Sequence, residues 1–128
     1  MKWPFRVAGP AAGVPGEDLA CAHLQAGGFQ LLARNYRCRG GEVDIVAREG
    51  DVTVFVEVKD RSGRSHGEGF ESVSPAKRRR IVLAARRFAA RAGLWEAPLR
   101  FDVISIDRSA GHGAKIRHDR GAFDESGR

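Results

Sequence analysis

Two alternating stretches, GEVDIVAR at 41–48 and DVTVFVEVK at 51–59, stand on either side of Glu49-Gly50 and constrain the fold more than any other part of the chain. Apolar and polar residues alternate with period two, which is the pattern of β-strands, and a short Gly-containing connection makes the pair a hairpin. A two-residue loop at Glu49-Gly50 pairs Arg48 with Asp51, which sets Asp44 opposite Phe55 and Glu42 opposite Glu57. Opposed residues share a face. Glu42, Asp44, Glu57 and Lys59 then project from one side, while Val43, Ile45, Val54, Val56 and Val58 project from the other into a core. A slip of one residue would scatter the polar group and expose half the valines, so the apolar pattern defends the polar cluster.

The flanking segments complete an order α, β, β, β, α, β. EDLACAHLQAGG, from Glu17, has acids in its first turn and Gly27-Gly28 at its end, the marks of a helix. FQLLARNYR, 29–37, reads as a strand followed by the turn residues CRGG. Ser74 offers an N-cap with Pro75 at the first helical position, and the helix runs to Ala92 before Gly93 stops it. LRFDVISID, 99–107, alternates as a last strand. RSGRSHGEGFE, 61–71, reads as a loop, and its Ser62–Gly69 part with His66 flanks the polar cluster.

With 128 residues the chain suits one domain with a real core. We assign the α/β domain to 14–108, a flexible N-terminal arm to the Pro- and Gly-rich residues 1–13, and a flexible tail to 109–128. Cys21 and Cys38 have no metal-ligand spacing and no disulfide framework around them, and read as reduced thiols. The prolines and glycines of the first residues break any signal-peptide core, and no apolar run reaches membrane-spanning length. The expectation is a soluble cytoplasmic protein with no membrane partner.

The acids on the hairpin admit a bland reading, the wet face of an antiparallel pair with cross-strand ion pairing of little value. Against it, they occupy positions where strong strand formers would normally stand, and they gather at the end away from the turn. Concentrated carboxylates repel unless a positive charge sits between them, and Lys59 alone does not balance three. A hard divalent cation does, and Mg²⁺ on one or two carboxylates keeps open positions for a phosphate and water. That is phosphodiester chemistry.

The second helix points the same way. Between Pro75 and Leu94 it carries Lys77, Arg78, Arg79, Arg80, Arg86, Arg87 and Arg91 and no acid. Such a helix repels itself without an anion nearby, and a phosphate backbone is the natural one. Its apolar stripe is read as Ile81, Ala84, Ala85, Phe88 and Ala92. Lys77 precedes Ile81 by four and lies over that stripe, pointing back to the sheet and the polar cluster. The net charge of +6 and a pI of about 10.1 agree with an anionic partner, although a solvated basic face would look alike.

Asp44 on one strand and Glu57-Val58-Lys59 on the next, within this element order, resemble the PD-(D/E)XK nuclease signature. GEDLA at 16–20, LLARNYRCRGGEVDIVA at 31–47, VFVEVKDR at 54–61, Lys77 and RFDVISI at 100–106 together resemble the bacterial YraN-like family, predicted to be endonuclease-related. The resemblance implies a restriction-endonuclease-like fold with a mixed central sheet flanked by helices. It implies a Mg²⁺-dependent endonuclease acting on DNA, with Mn²⁺ as an alternative ion, in repair, recombination or processing. Asp44 and Glu57 would hold the metal, and Lys59 would activate water and neutralise the phosphate. Val43 stands where the superfamily has Pro. Glu17 matches an acid that some of these nucleases carry on the first helix. It reads equally as a metal-site acid on the buried stripe or as a favourable acid in a first turn. Glu42 is a structural or outer acid of the site. Lys77, Arg78, Arg79, Arg80 and Arg87 are the expected DNA contacts. An inactive nucleic-acid-binding module with the same fold is the alternative, and junction cleavage would require a homodimer.

Overall fold

The computed structural model describes residues 5–7, 14–61, 73–94, 96–108 and 113–128. In chain order the elements are β1 (Phe5–Val7), α1 (Gly16–Ala26), β2 (Gln30–Cys38), β3 (Gly41–Glu49), β4 (Val52–Arg61), α2 (Pro75–Ala92), β5 (Leu99–Asp107) and β6 (Ala114–Phe123). The strands form one six-stranded sheet in the order β1-β6-β5-β4-β3-β2. Among the described residues only β4 and β5 are parallel, joined by the α2 crossover; the other neighbours are antiparallel. The αβββαβ core with a mixed sheet between helices has the character of the restriction-endonuclease-like fold.

Two expectations for the chain ends need correction. The segment read as a flexible tail contains β6, whose Ala114, Ile116 and Phe123 are buried and which pairs along β5. Within the segment read as a flexible arm, Phe5–Val7 pairs with Ile116–Ala114. The apolar residues of β6 are few and separated by charges, so its sequence lacks a strand's ordinary hydrophobic signature.

Both faces of the sheet are covered. On one side α1 packs Leu19, Ala20, Cys21 and Leu24 onto Ile45, Ala47, Val54, Val56, Ile104 and Ile106. On the other α2 packs Ile81, Val82, Ala84 and Ala85 onto Val43, Val46, Phe55, Phe101, Val103 and Phe123. The helix buries Val82 and Ala89 where Phe88 and Ala92 were expected; Phe88 is half-buried and Ala92 exposed. The Ser74 hydroxyl accepts the Lys77 N–H at 3.1 Å, and Gly93 closes the helix with φ 71°. A side chain at Gly41 would meet the Arg80 carbonyl oxygen at 2.8 Å, so only glycine lets α2 lie this close to β3.

The β3–β4 hairpin turns one residue later than its sequence suggests. Glu49 pairs with Val52 and Arg48 with Thr53, leaving Gly50-Asp51 as the loop. Gly50 has φ 62°, and a glycine at the first central position of a two-residue loop suits the twist of the strands. Arg48 thus moves from Asp51 to Thr53, a shift of an even number of residues, so the side chains of the regular ladder from Ile45 to Glu49 keep their faces.

Candidate functional site

The ladder between β3 and β4 runs as far as Ile45 against Val56, and one further step brings Asp44 against Glu57. The strand does not continue regularly. Val43 packs with the α2-side core and Ile45 with the α1-side core, although they are two apart. Val43 therefore leaves the face assigned to it by simple alternation. The change occurs at Asp44, which lies with Asn35 between the paired positions Arg34–Ile45 and Tyr36–Val43. Asn35 has φ 52°, a left-handed conformation that Asn tolerates better than most residues. The half-buried Asp44 turns its carboxylate onto β4, where Oδ2 accepts the Val58 N–H at 2.8 Å.

Glu57 lies under α2 and is 4% exposed. Burial, then the neighbouring Asp44 charge, push its carboxyl up to about 7. Lys77 and Lys59 work against that rise, while a hydrogen-bonding contact with Asp44 adds to it. Lys77 Nζ stands 3.7 Å from Glu57 Oε2. Glu57 Oε1 is buried with no hydrogen-bond partner. An unpartnered carboxylate oxygen of this kind costs about 1–3 kcal/mol or more unless something positive meets it. Lys59 lies on the same face, half-buried, and acts on Glu57 through its charge.

The hairpin thus brings together Asp44, Glu57 and Lys59, and α2 adds Lys77 where its helical spacing placed it. Among the described residues no group of three His, Cys, Asp or Glu side chains is close enough to hold a metal. A pair is what Mg²⁺ takes when it keeps several waters and a phosphate, and the orphaned Glu57 oxygen next to Asp44 fits such an ion. Without one, the pair retains a proton or leans on Lys77.

The other expected residues lie elsewhere or are engaged. Glu17 is not buried: Arg34 Nε and Asn35 Nδ2 reach its Oε1 at 2.9 and 3.0 Å, with Asp18 taking Arg34 NH2 at 2.6 Å. Of its two readings, the surface acid in a first helical turn is the one seen. Glu42 is half-buried across from Arg37. Arg78 is built into the fold: it donates to the Val73 carbonyl at 3.0 Å and the Gly127 carbonyl at 3.1 Å, over the Phe123 ring. Arg79, Arg80 and Arg87 are exposed, but on two flanks. Arg79 and Arg86 line a cleft with Glu125 and Gly127, while the Arg80 backbone lies against Gly41 of β3. The segment Ser62–Gly69, with His66, lies outside the described residues.

Sequence reasoning missed a buried network on the α1 face. Asp102, fully buried, takes Arg100 through both oxygens at 2.8 and 2.9 Å, His118 Nε2 at 2.8 Å and the Gly121 N–H at 3.0 Å. Burial opposes its charge, but His118, Arg100 and Gly121 hold its carboxyl below the usual range. His118 continues to His23 of α1 at 3.1 Å. These groups lie across the sheet from Glu57 and tie β6 and α1 to β5. Also missed were Ser105, Arg117 and Asp119 on the Glu57 face. Ser105 was visible only as a hydroxyl in line with Phe101 and Val103, and the other two stand on the unanticipated β6.

The family model described as "Uncharacterised protein family UPF0102" matches residues 16–106. The UPF0102 protein of Parafrankia sp. (strain EAN1pec) is 49% identical over 108 residues, 84% of this chain and 92% of that protein. That of Geobacter sulfurreducens is 46% identical over 112 residues, 88% of each chain. That of Cupriavidus taiwanensis is 50% identical over 98 residues, 76% of this chain and 74% of its own. The matched span runs from the start of α1 almost to the end of β5 and contains the carboxylate pair and both lysines; the chain belongs to the UPF0102 family, the YraN family.

Proposed function

We infer that the protein is a divalent-metal-dependent nuclease that hydrolyses phosphodiester bonds in DNA. The observation that carries this reading is the buried Glu57 beside the half-buried Asp44, with one orphaned oxygen and with Lys77 and Lys59 next to it. Asp44 and Glu57 would hold Mg²⁺, with Mn²⁺ as a substitute. The ion, when bound, would supply charge for the phosphate oxygens and a lowered pKa for water. The chain's own contributions follow from where its groups stand. Asp44 is aimed by the Val58 N–H, which fixes one carboxylate before any ligand arrives. Lys59, at the rim of the same face, is placed to meet a phosphate oxygen as negative charge builds there. Lys77, 3.7 Å from Glu57, would be placed to offer its ammonium to a phosphate held beside that carboxylate. The exposed Arg80 and Arg87 extend positive charge from Lys77 along the helix, suited to a strand backbone.

The second reading, a nucleic-acid-binding module without turnover, has the Lys77–Glu57 ion pair in its favour, since an internal cation already neutralises the acid. One experiment separates the two. Purified protein with Mg²⁺ or Mn²⁺ is incubated with plasmid, single-stranded, flapped and four-way-junction DNA, beside Asp44→Ala and Lys59→Ala. We expect cleavage by wild type that both variants lose, with binding retained. Intact DNA in every lane, with salt-dependent binding, leaves the binding module; equal cleavage by all three proteins marks a contaminant.

A further inference from the structure

Of the four buried side-chain atoms without a hydrogen-bond partner among the described residues, three lie on one face of three adjacent strands: Glu57 Oε1, Ser105 Oγ and Asp119 Oδ2. The register explains why they gather. Glu57 is level with Val103 and Val103 with Asp119; one step further along, Lys59 is level with Ser105 and Ser105 with Arg117. Residues level with one another share a face, and this is the α2 face, since Val103 belongs to that core. One polar row, Lys59–Ser105–Arg117, therefore crosses β4, β5 and β6 beside a row in which Val103 separates Glu57 from Asp119.

The polar row reads cation, hydroxyl, cation. Ser105 is fully buried, yet its hydroxyl is unpaired. A buried serine ordinarily finds a carbonyl or a water, and leaving it without one costs about 1–3 kcal/mol. Lys59 and Arg117 flank it at a strand spacing of roughly 5 Å each. Arg117 is 7% exposed and is oriented by Asp119, whose Oδ1 accepts its Nε at 3.1 Å. The Ser105 hydroxyl and the Arg117 guanidinium are neighbours in this row, with Lys59 at its other end, and donors of this kind suit tetrahedral oxygens.

We propose that Ser105 and Arg117 form an anion subsite that takes the phosphate next to the one that Asp44, Glu57 and Lys59 would position, with Asp119 as the positioning residue for Arg117. The proposal rests on the nuclease reading and adds direction to it. The bound strand runs from the carboxylate pair towards β6, and a substrate needs a charged phosphate on that side of the cleaved bond. Ends lacking that phosphate are then poor substrates, and internal linkages good ones.

Binding in EDTA tests this without turnover. Short DNA strands in which single phosphates are replaced one at a time by uncharged methylphosphonates are titrated with wild type, Ser105→Ala and the double variant Arg117→Gln, Asp119→Asn, which removes both members of that ion pair. Circular dichroism and urea midpoints establish that each variant is folded, and Ser105→Ala, a one-atom truncation, serves if the double variant is not. We expect wild type to lose about tenfold in affinity when one particular linkage is neutral, and folded variants to bind that strand and the fully charged one alike. The same sensitive linkage in wild type and Ser105→Ala overturns the subsite and leaves the nuclease reading standing. Wild type that binds no strand overturns the nucleic-acid reading and the subsite with it.

Discussion

Glu57 has a pKa near 7 because burial and the Asp44 charge together outweigh Lys77 and Lys59. If Glu57 holds the proposed metal ion, its proton and that ion compete for the same oxygens, and Mg²⁺ affinity should fall by up to ~10-fold per pH unit below that pKa. Calorimetric titrations at pH 6 and 8 with equal affinities would remove Glu57 from the metal site. The neighbours give a sharper test through carbon NMR of labelled glutamate. Lys77 lowers the Glu57 pKa, so Lys77→Met should raise it by about one unit, the lower end of what an opposite charge within ~4–6 Å does. Asp44→Asn removes the charge that raises it and should move it down. A Glu57 titration unmoved in both variants means that the 3.7 Å approach of Lys77 does not persist in solution. At this scale the sequence was legible where one element's period sufficed. Alternation put Glu57 with Lys59, and a four-residue helical step put Lys77 over the sheet. Arg78 was misread because its partners, Val73 and Gly127, are a backbone carbonyl at the helix start and another almost at the end of the chain.

Among the elements, β6 has the weakest sequence signature and one of the longest pairings. Its polar residues look like those of a tail, yet His118 reaches Asp102 of β5 within the sheet. Alternation could not reveal this, because charges that are satisfied by partners far away in sequence look the same as charges facing water. Asp102→Ala should therefore cost about 3 kcal/mol in urea unfolding, by leaving Arg100 and His118 facing an empty buried position. A loss below ~0.5 kcal/mol, the usual size for a surface change, would mean that the network does not hold β6. Helix α2 was legible from cap to cap, since Ser74, Pro75 and Gly93 are local signals; which arginines face out was not, because that depends on what covers the helix. Replacing Arg80 and Arg87 with Ala should reduce the slope of log affinity against log salt by about one for each phosphate no longer neutralised. Arg78→Ala should instead lower stability and leave the slope unchanged. A change of slope in Arg78→Ala, or none in the double variant, would reverse that assignment.

Taken over the whole molecule, the half-buried His23 and the buried Glu57, on opposite sheet faces, link folding to pH in opposite senses. His23, pressed by burial and then by His118 and Arg120, has its pKa lowered from 6.5 to about 4. Its protonation favours the unfolded chain, so its share of stability is complete above pH 6.5 and is lost as pH falls towards 4. Glu57 is raised from 4.5 to about 7, so its share is complete below pH 4.5 and is lost as pH rises through 7. Across the common window from 4.5 to 6.5 the two slopes oppose, each at most ~1.4 kcal/mol per pH unit. These two contributions should therefore leave wild-type stability nearly level there. Single variants uncover each slope: His23→Gln should become less stable with rising pH, and Glu57→Gln less stable with falling pH. Urea midpoints at pH 4.5, 5.5, 6.5 and 8 read both, and Glu57→Gln should exceed wild type at pH 8, where the ionised acid is most costly. Midpoints of the two variants that run parallel to wild type would show that neither group is held in its altered state by the fold. A rise at pH 8 on removing Glu57 would instead identify an acid kept on a buried face against the interest of stability, which is the expected mark of a group retained for binding.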